Sequence, residues 1–223
     1  MKKISLNNII KFRNKAEKYR KTFLNSIKKK SETKSDSGGN YWVRSLSALS
    51  NAVKLNSNEP IIEKITEIVE LFTPDLTSQT KNMYERNLHI LHNYEDYKLS
   101  SWLPEDFKII SKYKKKSVIY INLVPVQITP SQIFSFEKNN ETFIGAIWFI
   151  AKLEGYKNVE LGMFSEALYI YLSNNFKEKF KISEEHCVVV DVIEKNELTY
   201  LQLVNKEVKS ILSSTLEEIS NQI

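Results

Sequence analysis

The stretch that decides the fold is residues 128–152, ITPSQIFSFEKNNETFIGAIWFIAK. Two runs rich in β-branched and aromatic residues flank Lys138–Glu141. The Asn139–Asn140 pair between them tolerates the positive φ that a tight hairpin turn requires. The second run, Phe143–Ala151, is apolar throughout, so it must be covered on both faces. The stretch therefore predicts a hairpin that leads into the central strand of a sheet.

The residues on either side of this hairpin predict further strands and helices. SVIYINL (Ser117–Leu123) is short and β-branched and predicts a strand, after which Val124–Pro125 turns the chain. A helix capped by Asn158 carries an apolar stripe through Leu172. The remaining predicted elements are two strands, CVVVDV (187–192) and LTYLQLV (198–204), and a last helix over 208–219. The predicted order is β-β-β-α-β-β-α.

The first half of the chain has helical periodicity instead. One amphipathic helix is predicted from Ile9 to Ile27 and is followed by a Ser- and Gly-rich linker over 28–40. Three more helices are predicted at 41–55, from Pro60 to Phe72, and at 77–94. The fold class is therefore predicted to be α+β, with a helical N-terminal half packed on a C-terminal mixed β-sheet. The predicted parts are a basic helix with the start of a linker (1–35), a helical region (41–113) and an α/β domain (114–223).

Composition predicts a globular protein of the cytoplasm. Of the 223 residues 42% are hydrophobic, which is enough for a sizeable core. The longest apolar run is far shorter than the roughly 20 residues that a membrane-spanning helix needs, and the first residues do not resemble a secretory signal. Cys187 is the only cysteine, which excludes an internal disulfide and a thiolate metal cluster. We expect no membrane partner and no cofactor, with Mg²⁺ only if the chain is an active nuclease.

The positive charge is concentrated at one end. The net charge is +5, but residues 1–35 alone carry +10 and the remainder carries −5. Such a segment is attracted to phosphate backbones by a salt-dependent term that does not depend on base sequence. It predicts contact with DNA or RNA, or with a partner protein, although a solvated lysine-rich helix is the alternative. The predicted nucleic-acid-binding residues are Lys11, Arg13, Lys15, Lys18, Arg20, Lys21, Lys28, Lys29 and Lys30.

A hairpin that leads into a central strand, followed by a helix and another strand, resembles the core of the PD-(D/E)XK nucleases, the restriction-endonuclease-like superfamily. The resemblance covers about residues 117–204. Pro130 matches the proline of the family motif and Lys152 matches its lysine. The helix FSEALYIYL is also similar to a RecB-type pattern, with Tyr169 in place and Ser165 where a glutamine is expected. The resemblance implies Mg²⁺ held by two acids, with the lysine positioning the attacking water.

Neither acidic position of that motif is acidic in this chain. Ser131 and Ile150 occupy them, and neither side chain supplies the carboxylate that Mg²⁺ requires. A migrated site would have to use Lys152 together with Glu137 or Glu154, or with Glu141. The motif therefore predicts a nuclease fold that has lost its catalytic activity.

The predicted fourth helix carries a second pattern with chemical potential. Arg86, Asn87 and His92 spell R-N-x-x-x-x-H, which is similar to the motif of the HEPN ribonucleases. That resemblance implies metal-independent RNA cleavage, with His92 as acid or base and Arg86 stabilising the phosphorane. A second hypothesis for this helix is a zinc site, with the ligands Glu85, His89, His92 and Asp96. The simplest interpretation is an ordinary solvated helix face.

The leading prediction is a catalytically degenerate nuclease-fold protein. It would act as a binding subunit for nucleic acid or a partner protein, in a bacterial DNA-processing or defence assembly. A HEPN-like ribonuclease and an active Mg²⁺-dependent nuclease with a migrated site are the alternatives.

Overall fold

The computed structural model describes residues 3–30, 41–110 and 116–222, without the side chains of Lys29 and Lys30. Most of the predicted linker over 28–40 lies outside these ranges. The chain has an α+β fold with two mixed sheets. The strands are β1 (Ile4–Ser5), β2 (Lys108–Ile109), β3 (Val118–Ile121), β4 (Val124–Gln127), β5 (Gln132–Lys138), β6 (Glu141–Ile150), β7 (Lys181–Asp191) and β8 (Asn196–Thr199).

Helices make up most of the first half and cover the sheets in the second. They are α1 (Leu6–Arg13), α2 (Glu17–Lys30), α3 (Val43–Leu55), α4 (Glu59–Glu70), α5 (Ser78–Tyr94), α6 (Asn158–Phe176), α7 (Tyr200–Val204) and α8 (Leu212–Ser220). A single 3₁₀ turn follows α5 at Leu99–Ser101. No helix in the described ranges is long and apolar enough to cross a membrane.

The predicted hairpin and central strand are confirmed. Asn139 and Asn140 have φ of 54° and 62°, and β5 pairs with β6 in antiparallel register through Lys138↔Glu141. The larger sheet has the order β2-β5-β6-β7-β8, so β6 lies in its middle. β6 and β7 are parallel and are joined by the crossover helix α6. The other pairs in this sheet are antiparallel.

Alternate side chains of β6 pack into two different cores. Ile144, Ala146 and Trp148 belong to the α6-side core, which α1, α6, α8 and the smaller sheet complete. Ile147 and Phe149 belong to the α3-side core, which is completed by α3, α4 and α5. Because successive strand residues face opposite sides, one apolar strand serves both cores.

The predicted turn at Val124–Pro125 is wrong. The chain reverses two residues earlier, at Asn122 and Leu123, with φ of 48° and 66°. Val124 and Pro125 then belong to β4, which pairs antiparallel with β3 and parallel with β1. Pro125 is buried and faces Tyr120 in the ladder. The smaller sheet therefore has the order β1-β4-β3.

The predicted strand over 198–204 is also only partly correct. β8 ends at Thr199, and Tyr200–Val204 forms the short helix α7. Gln202 accepts a hydrogen bond at Oε1 from the Thr199 N–H, which closes the first turn of that helix. With the additional strand β4 and the additional helix α7, the predicted order β-β-β-α-β-β-α is replaced by β-β-β-β-α-β-β-α-α over 117–220.

The first predicted helix is in fact two helices, α1 and α2. Arg20 on α2 donates from Nη2 to the carbonyl of Arg13 at 3.2 Å and from Nε to the carbonyl of Lys15 at 3.1 Å. These bonds satisfy carbonyls at the end of α1 and in the loop after it that a continuous helix would have used itself. Leu24 is buried on α2, whereas Tyr19 of the same helix is exposed.

Candidate functional site

A cleft of about 690 Å³ opens beyond the end of the central strand. Its walls come from α1, the loop before α2, one residue of α2, the two residues before α3, one residue of α5 and the segment after β6. β6 ends at Ile150 and its parallel neighbour β7 ends at Asp191. In open sheets with parallel strands, ligands bind in the crevice beyond the carboxyl ends of those strands. The fold therefore places the cleft where a ligand site is expected.

Cationic and aromatic side chains line this cleft together. The cations are Lys11, Lys15, Arg86 and Lys152, and the aromatic rings are Phe23, Tyr41, Trp42 and Tyr156. No Asp or Glu belongs to the lining formed by the described residues. Apolar walls lower the effective dielectric, so these charges attract an anion more strongly than they would on an open surface. The cleft suits a ligand that combines negative charge with flat rings.

Lys152 enters the cleft directly after β6, and its ammonium group is held from two sides. Nζ lies 3.3 Å from Oε2 of Glu160, whose side chain is only 5% exposed. It also lies 4.9 Å from the centroid of the Tyr156 ring, which is a cation–π distance. The Lys152 side chain is 41% exposed, so the ammonium remains accessible from the cleft.

Glu160 binds three separate segments beneath the cleft. Its Oε1 accepts from Nδ2 of Asn14 at 2.8 Å, and its Oε2 accepts from the Lys157 N–H at 3.0 Å in addition to facing Lys152. Burial alone would raise the pKa of Glu160, but these hydrogen bonds and the charge of Lys152 bring the pKa below its ordinary value. Glu160 is therefore a charged anchor for α1, for the loop after β6 and for the start of α6.

Arg86 and Tyr41 form the opposite wall. Nη1 of Arg86 donates to the Tyr41 hydroxyl at 2.9 Å, and the Tyr41 ring meets Trp42 edge-on with centroids 4.7 Å apart. The neighbouring Asn87 is fully buried. It donates to the carbonyls of Tyr41 and Met83 and accepts from the Ser45 N–H in the first turn of α3. Asn87 thus fixes the start of α3, and with it Tyr41 and Trp42, against α5.

The loop that carries Tyr156 is held by a buried carboxylate. Asp191 accepts from the Tyr156 N–H at 2.7 Å and from the Ile193 N–H at 3.1 Å, and its burial raises its pKa. The Tyr156 hydroxyl in turn donates to Oδ1 of Asn7 on α1 at 2.7 Å. Gly155, with φ of 63°, permits the tight path of the loop. The ring of Tyr156 is therefore fixed in the cleft wall.

The predicted basic residues do not act as one surface. Lys11 and Lys15 line the cleft, whereas Arg13 and Arg20 form ion pairs with Glu218 of α8 at 3.3 and 2.6 Å. Lys18 and Lys21 are exposed on α2, away from the cleft lining, and Lys28 is half-buried near the end of that helix. The side chains of Lys29 and Lys30 lie outside the described residues.

The residues at the acidic positions of the PD-(D/E)XK motif have structural contacts. Ser131 accepts at Oγ from the Phe149 N–H, and Ile150 is buried in the α6-side core. Glu137 accepts from Thr142 near the hairpin turn, roughly 26 Å along β6 from the end of the strand. Glu141 lies at the same far end, where it pairs with Lys181. The exposed Glu154 follows Lys152 but does not line the cleft.

This donor set does not fit Mg²⁺, which requires several carboxylate or carbonyl oxygens around one point. The one carboxylate in contact with Lys152 is Glu160, and both of its oxygens already accept hydrogen bonds from the protein. Among the described residues, no group of three or more His, Cys, Asp or Glu side chains is placed to hold a metal. The residues of the zinc hypothesis on α5 therefore do not form such a group either.

The R-N-x-x-x-x-H residues on α5 do not meet within one chain. Arg86 points toward Tyr41 at the cleft, and Asn87 is consumed by structural hydrogen bonds. His92 is 51% exposed and lies 3.1 Å from Glu95, outside the cleft lining. Six residues of helix turn through roughly 600°, so Arg86 and His92 face directions about 120° apart. The HEPN resemblance stays a prediction that an assembly of chains would have to satisfy.

Sequence reasoning found Lys152, Arg86, Lys11 and Lys15 by separate arguments, and the fold brings all four to one cleft. It did not find Asn14, Glu160 or Tyr156 as site residues. Their roles depend on contacts between segments that are more than 100 residues apart, and no local pattern encodes these contacts.

None of the protein-family models, curated proteins or solved structures compared with this chain matches it, so its function has to be argued from the cleft itself.

Proposed function

We propose that the protein binds single-stranded nucleic acid in the cleft and does not cleave it. The observation that carries this proposal is the cleft lining, in which four cations and four aromatic rings occur without a carboxylate. Proteins that bind single strands combine a positive groove for the backbone with aromatic rings on which bases stack. Double helices offer stacked bases that such rings cannot reach.

In this proposal the cations bind the phosphates and the aromatic rings contact the bases. Lys11 and Lys15 come from α1 and the loop after it, whereas Lys152 and Arg86 come from other segments of the lining, so a phosphate backbone in the cleft meets positive charge from several segments. Each neutralised phosphate releases condensed counterions, which makes binding weaken as salt rises. Trp42 and Tyr41 supply half-buried ring surface beside Arg86.

The absence of cleavage rests on the donor set described above. Lys152 is paired with a buried carboxylate, and among the described residues no group of three or more His, Cys, Asp or Glu side chains is placed to hold Mg²⁺. The proposed role is therefore that of a binding subunit, which retains the lysine of the PD-(D/E)XK pattern for phosphate contact.

Fluorescence anisotropy with a labelled single-stranded oligonucleotide tests the proposal. Lys11→Ala and Arg86→Ala should each weaken binding, and each should reduce the slope of log K against log salt by about 0.7. Lys177→Ala is the matched control, because Lys177 is exposed at the opposite end of α6. Lys11 is exposed as well, so its removal leaves both cores intact.

Two outcomes would overturn the proposal. Affinity that is unchanged in both variants would show that the cleft is not the binding surface. Cleavage of the oligonucleotide that stops on addition of EDTA would show a metal-dependent nuclease, and cleavage that survives EDTA but is lost in His92→Ala would favour the HEPN-like alternative.

A further inference from the structure

A shallow groove of about 550 Å³ runs along the outer face of α4 and shares no residue with the cleft. Its described lining comes from α4 alone: Glu59, Ile62, Glu63, Thr66, Glu67 and Glu70. Ile62 is 54% exposed, and Val69, about two helical turns further on, is 55% exposed. Apolar residues that share one helix face at this exposure are typical of an interaction surface.

Carboxylates border this apolar stripe on one side. Glu63 lies about 100° around the helix from Ile62, and Glu59 and Glu70 lie near Glu63 on the same flank. None of these three has an ion-pair partner among the described residues, whereas the remaining glutamate of the groove, Glu67, is paired with cations of α3 and α4. An apolar centre with an unpaired acidic rim fits a partner that presents apolar surface beside cations.

The same chain carries such a surface on the exposed face of α2. Tyr19 is 56% exposed there, and Nζ of Lys18 lies 5.0 Å from the centroid of its ring. Lys21 is exposed on the same helix, and neither lysine has a carboxylate partner among the described residues or lines the cleft. Tyrosine is a frequent anchor of interfaces, and the aliphatic stem of a lysine covers apolar surface while its ammonium stays in water.

We infer that the outer face of α4 binds α2 of a second copy of this chain. Tyr19 of one copy packs on the apolar stripe of the other, and Lys18 and Lys21 lie beside its carboxylates. The two helices of one chain do not cover each other, because both faces are exposed in the folded molecule. The contact joins different surfaces of the two copies, so it builds head-to-tail assemblies. This inference goes beyond the proposed function and does not depend on it.

Charge acts on this contact at two ranges. The chain carries a net charge of +5, so whole copies repel each other at long range. At about 0.1 M salt, charges further apart than roughly 10 Å are largely screened, which leaves the close pairs between α2 and α4 in control. At about 1 M salt the screening length falls to roughly 3 Å, and the close pairs are weakened as well. Self-association should therefore be stronger at the lower of these two salt concentrations.

Sedimentation velocity of the full chain without nucleic acid, over a range of protein concentrations, tests the inference. Glu63→Lys and Lys18→Glu should each weaken self-association on the order of tenfold, because each places like charges opposite each other. Glu178→Lys and Lys177→Glu are the matched controls, since both residues are exposed after α6 and the net charge changes by the same amount.

An equimolar mixture of Glu63→Lys and Lys18→Glu should associate again. The first variant keeps an intact α2 and the second keeps an intact α4, so each mixed pair has one native contact. Val69→Ser should also weaken self-association, whereas Val204→Ser, at an exposed position of α7, should not. All of these residues are exposed, and circular dichroism of each variant checks that the fold is retained.

A wild-type sedimentation coefficient that does not change with protein concentration at about 0.1 M salt would overturn the inference. So would self-association that survives Glu63→Lys and Lys18→Glu, or that the matched controls weaken equally. A mixture of the two variants that stays monomeric would overturn the head-to-tail pairing of α2 with α4. Oligonucleotide binding is measured separately, so each of these results leaves the proposed function standing.

Discussion

Glu160 is the residue on which the cleft wall depends. Removing one partner from a buried, hydrogen-bonded charge usually costs more than the pair contributes, because the remaining groups lose their partners. Here the remaining groups are the Asn14 amide, the Lys157 N–H and the Lys152 ammonium. The Lys152 side chain is 41% exposed and can be partly solvated, which limits the cost of losing its charge partner.

Glu160→Ala should therefore lower the free energy of unfolding by about 1–3 kcal/mol at neutral pH. Urea denaturation followed by circular dichroism measures the change. Glu154→Ala, at an exposed carboxylate near the cleft, should stay within about 0.5 kcal/mol of the wild type. Equal effects of the two substitutions would contradict the anchoring role of Glu160.

The same residue predicts a pH dependence. The pKa of Glu160 is lowered in the folded chain, so its stabilising contribution is present above its ordinary value of 4.5 and is lost as pH falls through the folded pKa. The difference in unfolding free energy between the wild type and Glu160→Gln should therefore shrink as the solution is acidified. A difference that stays constant or grows in acid would show that the charge is not what stabilises this wall.

Among the elements, the β3–β4 hairpin has a turn residue that its backbone does not favour. Leu123 has φ of 66°, a region that costs most residues with a Cβ about 1–2 kcal/mol, and its side chain is 85% exposed. The other tight hairpin uses Asn139–Asn140, which tolerates this conformation.

Leu123→Gly should raise the unfolding free energy by about 0.5–1 kcal/mol, because the new Asn-Gly pair suits the turn and no packing is lost. The thermal unfolding midpoint measures the change. The comparison variant Leu123→Asn keeps a side chain and should give a smaller gain in unfolding free energy in the same direction. A lower midpoint for both variants would mean that Leu123 makes a stabilising contact.

The contrast between these two hairpins shows what local sequence can predict. The residue types of Asn139–Asn140 indicate a turn, and the turn predicted there is confirmed. The turn at Asn122–Leu123 was predicted at Val124–Pro125 instead, because proline is a common turn residue. Leucine rarely adopts the positive φ that Leu123 has, so its residue type does not indicate a turn. The break between α1 and α2 had no local signal either, since Arg20, Arg13 and Glu218 create it across the fold.

At the scale of the whole molecule, β6 is shared by the α3-side and α6-side cores. A strand that contributes alternate side chains to two cores cannot leave one of them intact when it unfolds. We therefore expect cooperative unfolding of the helical region and the sheet, whatever boundary the sequence suggests between 41–113 and 114–223.

Leu49→Ala in the α3-side core and Leu168→Ala in the α6-side core should each destabilise the whole molecule by about 2–5 kcal/mol. Circular dichroism and tryptophan fluorescence should report one coincident urea transition in each variant. Leu55→Ala, at an exposed position of α3, is the control. Two transitions, each shifted by one variant alone, would instead support two independent domains.

The burial of α1 bears on how the basic segment should be manipulated. Ile9 and Phe12 are fully buried, and β1 before them extends the smaller sheet. A deletion that removes the lysines of this segment would also remove β1 and the buried side chains of α1, which the fold needs. Charge at this end of the molecule has to be altered one side chain at a time, and any loss of binding after a deletion would report collapse rather than electrostatics.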